Sequence, residues 1–270
     1  MNLKIQGIQM KIFIKNNLIF FLLIYSSFGF SSIIPDGKYY HVNNASIYAV
    51  TYGKGPVVVF ESGLGDGVNV WSKVAPLIAR HATVVLYDRA GTEKSKFLTK
   101  TNQAQTAQIV VNNLKVLLQK MDLKPPTILV GHSVGGLYVQ LFAREYSKEV
   151  SSIVLVDSMS PNQNLNDPLP SKKAYYYLDA LGIPESENEI KKAPHFPNIP
   201  LIVLSATIHG KPNSIYNSKE NKIQWAKWQS ELAAMSDKSQ HITANKTDHY
   251  IQKQKPWLVI AAIDELIKKI

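Results

Sequence analysis

Thr127-Ile128-Leu129-Val130-Gly131-His132-Ser133-Val134-Gly135-Gly136 decides how this chain is read. The apolar run Thr127 to Val130 has the continuous β-branched character of a buried strand. After Gly136, Leu137-Tyr138-Val139-Gln140-Leu141-Phe142-Ala143-Arg144 follows a helical pattern. A strand that becomes a helix within so few residues needs a very sharp turn, and Ser133 sits at its apex. Glycines two before and two after the serine suit that turn, because strained dihedrals and crowded backbone leave no room for side chains beside it. A Gly-x-Ser-x-Gly match alone is common. Held between a strand and a helix, it makes Ser133 a candidate nucleophile, the alternative being a purely structural turn.

Outward from the elbow, the same alternation recurs. Val57-Val58-Val59-Phe60 and Thr83-Val84-Val85-Leu86-Tyr87 are continuous apolar runs, and helical patterns lie at Val70 to Arg80 and Gln103 to Met121. Ile153 to Val156 and Leu201 to Leu204 repeat the unit, and a helix around Lys219 to Met235, a short strand near Gln240 to Thr243 and a helix from Lys255 to Lys269 complete it. Apolar strands alternating with helices predict an α/β fold with a mostly parallel, doubly wound sheet covered on both faces. Before it, Lys38 to Val42 and Ser46 to Tyr52 alternate as antiparallel strands turning at Asn43-Asn44. No linker, tandem repeat or low-complexity tract divides the chain, so one large domain is expected.

The chain has no cysteine, which excludes disulfides, thiolate metal sites and cysteine nucleophiles and leaves the redox compartment open. Its net charge of +10 includes Lys4, Lys11 and Lys15 of the first segment. The remaining lysines are scattered without an arginine-aromatic cluster, so nucleic acid is not an expected partner. The three leading lysines precede the apolar core Leu18 to Tyr25 and the small residues Ser27, Gly29 and Ser31. Residues 1–31 therefore read as a secretory signal peptide, cleaved after Ser31 or Gly29, with 32–270 as the exported domain, periplasmic or secreted. The alternative is a membrane anchor, since Asn16 to Pro35 carries no charge.

Four landmarks in these residues resemble the α/β-hydrolase fold, over roughly Asp36 to Ile270. They are the elbow, the loop Glu61-Ser62-Gly63-Leu64-Gly65-Asp66-Gly67, the turn Tyr87-Asp88-Arg89-Ala90-Gly91, and Asp248-His249 before the last helix. The similarity is to the serine-hydrolase branch, the esterase and lipase-like group. Dehalogenases and epoxide hydrolases of the same fold would imply an aspartate at the elbow, where this chain has Ser133.

A serine hydroxyl needs a base and a group that orients the base. Among seven histidines, the resemblance implies His249, in the loop between the last strand and the last helix, as the general base. His132 abuts the nucleophile and is expected to pack or shape the pocket wall. His41, His81, His195 and His241 read as structural or exposed, and His209 is a minor candidate. Most relatives place the acid after the strand that here is Leu201 to Leu204, where Ser205-Ala206-Thr207-Ile208-His209-Gly210 holds no carboxylate. A second known arrangement implies Asp157, at the end of the preceding strand, a position that also suits a loop or helix cap. Asp248 is a poor rival because adjacent side chains rarely converge, and Asp88 and Arg89 read as a structural turn pair distant from the elbow. The oxyanion donors are expected to be the backbone amides of Val134 and, in the loop after Phe60, Leu64.

Between Ser158 and Pro200 the rhythm stops, and the resemblance implies a cap insertion at about 158–199. Tyr175-Tyr176-Tyr177 there could line an acyl site or pack the cap onto the main domain, while Trp225, Trp228 and Leu232 at helical spacing read as core. The expected activity is metal- and cofactor-independent cleavage of an ester or related acyl bond in a small-molecule substrate, with membrane involvement only through an uncleaved leader. The alternatives are the same triad acting on amide, thioester or carbon-carbon bonds or in perhydrolysis, and an inactive binding protein of this fold.

Overall fold

Val57–Glu61 (β3), Thr83–Tyr87 (β4), Thr127–His132 (β6), Val150–Val156 (β7), Leu201–Ala206 (β8) and Ser239–Ala244 (β9) pair in parallel, in the order β4-β3-β6-β7-β8-β9. Lys38–Val42 (β1) and Ala45–Gly53 (β2) add an antiparallel edge, β2 pairing with both β1 and β4. The two-residue strand Lys96–Phe97 (β5), which has too few residues to show a period, also pairs with β2. This computed structural model describes residues 33–163, 168–209 and 218–270. The leader and its cleavage site lie outside them, as do residues 164–167 of the expected cap. From Ile33 to Ile270 they form one compact unit, and among them no helix is long and apolar enough to cross a membrane.

Successive side chains of a strand point to opposite faces, so each continuous apolar run supplies two cores. Val59, Val85, Leu129, Ile153, Leu155 and Val203 face one way, against Ala107–Lys120 (α2) and Gly135–Glu145 (α3). Val58, Phe60, Val84, Val130, Val154 and Leu204 face the other, against Ala75–Ile78 (α1) and Pro256–Ile267 (α7). All six residues of β6 are buried. Each large apolar side chain so buried contributes on the order of 1.5–3 kcal/mol, so the strand beneath the elbow is anchored on both faces.

The expected helix over Val70 to Arg80 is broken in two. A 3-10 turn at Val68–Trp71 is followed by α1 at Ala75–Ile78. Pro76 explains the break, since it has no N–H to donate and its ring would clash with the carbonyl four residues back, yet it fits at the start of a new helix. The last expected helix, Lys255 to Lys269, is present as Pro256–Ile267 (α7), opened by Pro256, and the short helix Ile251–Gln254 (α6) precedes it. Between β7 and β8, among the described residues, lies one helix, Tyr177–Lys192 (α4), whose Ile183 and Ile190 join the α2-α3 core. Between β8 and β9 lies Lys219–Ala233 (α5), capped by the Ser218 hydroxyl, which accepts from the Asn221 amide at 3.2 Å.

Candidate active site

Ser133 adopts φ +55°, the left-handed region that costs a non-glycine residue roughly 1–2 kcal/mol. Three backbone bonds hold it there: its N–H donates to Val156 at 3.2 Å, and its carbonyl accepts from Gly136 and Met159 at 3.0 Å each. Close approach explains the flanking glycines. A Cβ on Gly135 would lie 2.6 Å from the carbonyl oxygens of both Glu61 and Ser62, and one on Gly131 would lie 2.7 Å from a Val139 methyl. The N-terminus of α3 therefore abuts the loop after β3, which brings the segments carrying Val134 and Leu64 together.

Asp157 lies just past β7, also at positive φ (+43°), with its N–H on the Leu204 carbonyl at 2.7 Å. Its buried carboxylate takes four donors. Oδ2 accepts from His249 Nδ1 at 2.7 Å and His209 Nε2 at 3.2 Å; Oδ1 accepts from the Ala206 amide at 2.8 Å and Trp225 Nε1 at 3.0 Å. Burial pushes this acid up, but the hydrogen bonds and charges of the two histidines outweigh it and hold the group well below the usual carboxylate range. Because a carboxylate only accepts, His249 Nδ1 carries the proton and its Nε2 faces the opposite way. Among the described residues no hydrogen bond joins the Ser133 hydroxyl to His249. His132, next to Ser133 in the chain, has its ring centroid 4.7 Å from that of His249.

Trp225 and Trp228 are half-buried rather than core; only Leu232 of that trio is fully buried. Helical spacing shows which residues share a face, not what the face meets, and here the indole meets a carboxylate. Asp248 caps its own loop, accepting from the Tyr250 amide at 2.9 Å and Gln254 Nε2 at 2.6 Å.

His132 packs, as expected of it, and also binds: Nε2 donates to the His249 carbonyl at 2.9 Å. Its ring is fully buried against Trp71, His249 and Tyr250. Burial, reinforced by repulsion from His249, pushes its pKa down to about 3. The unfolded chain binds this proton near pH 6.5, so stability is complete above that pH and declines as pH falls towards 3. From pH 6.5 to 4.5 the loss is about 2–3 kcal/mol, at ~1.4 kcal/mol per pH unit. Urea unfolding at a series of pH values should show this slope in the natural protein and a flatter one in His132→Gln.

Arg89 is not a turn partner of Asp88. Asp88 accepts from the Val68 and Lys94 amides at 2.9 and 3.1 Å, whereas the buried Arg89 reaches under the β3 loop. Its Nη1 donates to Glu61 at 2.8 Å and to the Ser62 carbonyl at 2.6 Å, its Nη2 to the Gly63 carbonyl at 2.7 Å, and its Nε to Asp179 of α4 at 2.8 Å. Glu61 also accepts from the Tyr87 hydroxyl.

Ser133, Asp157, His209 and the β3 loop all follow the carboxyl ends of parallel strands, where sites in such sheets form. His249 joins them from the loop after β9. Sequence reading missed Trp225 and Arg89 as parts of this region; His209 was marked only by its place after a strand. Among the described residues no group of three or more His, Asp or Glu is placed to hold a metal ion.

Residues 56–268 match the model of a family described as alpha/beta hydrolase fold. An uncharacterized protein of Bacillus subtilis (strain 168), YqjL, is 27% identical over 217 residues, covering 77% of this chain and 82% of its own length. Three mycobacterial proteins are matched over only 32% of their own length. Among solved structures, a thermophilic esterase from Thermogutta terrifontis superposes with a TM-score of 0.62 at 15% identity, covering 86% of this chain and 98% of the other. A bromoperoxidase from Bacillus anthracis gives 0.65 at 15% identity, covering 86% and 100%. At such identities the superpositions establish the fold alone, and the two names show that one fold carries different chemistries.

Proposed function

The chain belongs to the alpha/beta hydrolase fold family, and from that premise we propose that it is a serine hydrolase cleaving an ester or related acyl bond of a small-molecule substrate. The observation that carries the proposal is the 2.7 Å hydrogen bond between His249 Nδ1 and the fully buried Asp157, at the same end of the sheet as Ser133. A buried carboxylate that accepts the Nδ1–H of a neutral imidazole leaves the other ring nitrogen free to act as a base, and that is the requirement of an activated serine.

In this reading Ser133 Oγ attacks the carbonyl carbon while His249 Nε2 takes the hydroxyl proton. The carbonyl π electrons move to oxygen, and the Leu64 and Val134 amides stabilise that oxyanion. Collapse expels the alcohol, which leaves with the proton from His249. Water then attacks the acyl-serine, gives its proton to His249, and the acid departs as Ser133 recovers its proton. Asp157 accepts the Nδ1–H throughout, fixing the neutral tautomer and stabilising the imidazolium that forms in each half-reaction. Bromoperoxidase chemistry on the same fold keeps perhydrolysis, with hydrogen peroxide in place of water, as a second use of the same residues.

A fluorophosphonate probe should label the protein on Ser133, as read by peptide mass spectrometry, and a nitrophenyl ester series of graded length should reveal the preferred acyl group. Failure to label with full-length, folded protein would sink the reading. Export is part of the proposal, motivated by the basic head and apolar core of the leader. N-terminal sequencing of the exported product should begin at Ser32 or close to it, whereas Met1 on membrane-bound material would establish the anchor instead.

A further inference from the structure

A trans peptide plane carries the carbonyl of one residue and the N–H of the next in opposite directions. The only cis bond among the described residues is Pro125-Pro126, so this holds throughout the β3 loop. Arg89 Nη2 takes the Gly63 carbonyl at 2.7 Å, and the Leu64 N–H must therefore point away from the guanidinium. Nη1 fixes the preceding plane through the Ser62 carbonyl at 2.6 Å. A third carbonyl, that of Gly65, accepts from the Tyr175 hydroxyl at 2.5 Å. Carbonyls on both sides of Leu64 are thus tied down.

Arg89 is itself held at every nitrogen. A guanidinium has five N–H donors in a rigid fork, and here the partners are Glu61 at the end of β3, the two loop carbonyls, and Asp179, which Nε and Nη2 both meet at 2.8 Å. The group also lies over the Tyr138 ring of α3, 5.3 Å from its centroid. Asp179 is buried in the first turn of α4, and Tyr175 lies two residues before that helix. The segment between β7 and β8 therefore grips the loop twice, once through Arg89 and once directly.

We propose that Arg89 is the positioning residue of the oxyanion loop, and that Asp179 and Tyr175 extend its hold so that the docking of the α4 segment sets the aim of the Leu64 amide. This rests on the serine-hydrolase reading above. It makes a buried ion cluster, otherwise a costly feature, part of the machinery that meets developing charge. It also gives the α4 segment a role in rate as well as in substrate admission.

The test compares an oxoester with its thionoester, in which sulfur replaces the carbonyl oxygen. Sulfur is a poorer hydrogen-bond acceptor on a longer bond, so an aligned oxyanion donor favours the oxoester and a misaligned one does not. Arg89→Lys keeps the charge but cannot span both carbonyls and both carboxylates. It is expected to lower kcat on the oxoester by about 10²-fold, with KM changed by less than about threefold, and to collapse the oxoester-to-thionoester ratio by about tenfold or more. Tyr175→Phe, at an exposed site, should move the ratio in the same direction by a few-fold while leaving the melting temperature in place. Should Arg89→Lys not fold, Tyr175→Phe and Asp179→Asn carry the comparison. An unchanged ratio in the variants that fold overturns the proposal whatever their stability. Ser133→Ala tells the two levels apart: turnover in that variant would defeat the serine-hydrolase reading, whereas an inactive Ser133→Ala beside unchanged ratios would defeat only the role of Arg89.

Discussion

Ser133→Ala is expected to lose all detectable ester turnover and all fluorophosphonate labelling while unfolding within about 1 kcal/mol of the natural protein. Loss of turnover follows from chemistry, since the hydroxyl forms the covalent intermediate and no cysteine is present to replace it. Near-neutral stability follows from structure. The three bonds that hold residue 133 are backbone bonds, and alanine bears the same positive φ at the same cost as serine. Removing a half-buried hydroxyl takes no partner from another group among the described residues. Circular dichroism melting beside the labelling assay separates the effects. Retained labelling would move the nucleophile elsewhere; lost labelling with a large drop in melting temperature would mean that the change had disrupted the elbow.

Asp157→Asn should lower turnover by on the order of 10⁴ if the carboxylate orients His249. An amide offers one acceptor oxygen where the carboxylate offers two, and its NH2 group would face donors. Two of the four present, His249 Nδ1–H, His209 Nε2–H, the Ala206 N–H and Trp225 Nε1–H, would lose their acceptor. The imidazole can answer only by changing tautomer, which takes the basic nitrogen away from Ser133. Stability should fall as well, by about 1–3 kcal/mol for each buried donor left unpaired, so turnover has to be normalised to the folded fraction. Trp225→Phe provides the control, removing one donor but keeping the charge; its stability cost is about 1.5–3 kcal/mol, with turnover within about tenfold of normal. Near-normal turnover in folded Asp157→Asn would reduce Asp157 to a cap. The carboxylate also makes the fold acid-sensitive. Its depressed pKa contributes stability that is complete above the ordinary aspartate range near pH 4 and is lost as pH falls further.

The strands and most helices were legible because burial imposes a period. A two-sided sheet demands continuous apolar runs, and α2 shows its core face at Val110, Val111, Leu114, Leu117 and Leu118, the spacing a helix packed on one side requires. Local chemistry also announced the elbow, since a strand-to-helix turn with φ +55° at Ser133 and a backbone approach at Gly135 admits few sequences. What failed locally had a local cause that periodicity alone overlooks, as Pro76 shows by dividing a helix whose apolar pattern continues across it.

By itself, the chain's order of residues determined the α/β architecture, the Ser133 turn and the short set of candidates that included Asp157 and His249, because each rests on contacts between near neighbours or on alternation along one element. Tertiary structure alone decided who meets whom across the end of the sheet. Trp225 reaches Asp157 over 68 residues, His209 over 52, and Arg89 reaches Asp179 over 90. No repeat along the chain encodes such pairs. A buried polar group must find its partner wherever packing has placed one, and that partner is known only once the strands are laid side by side and the helices closed over them.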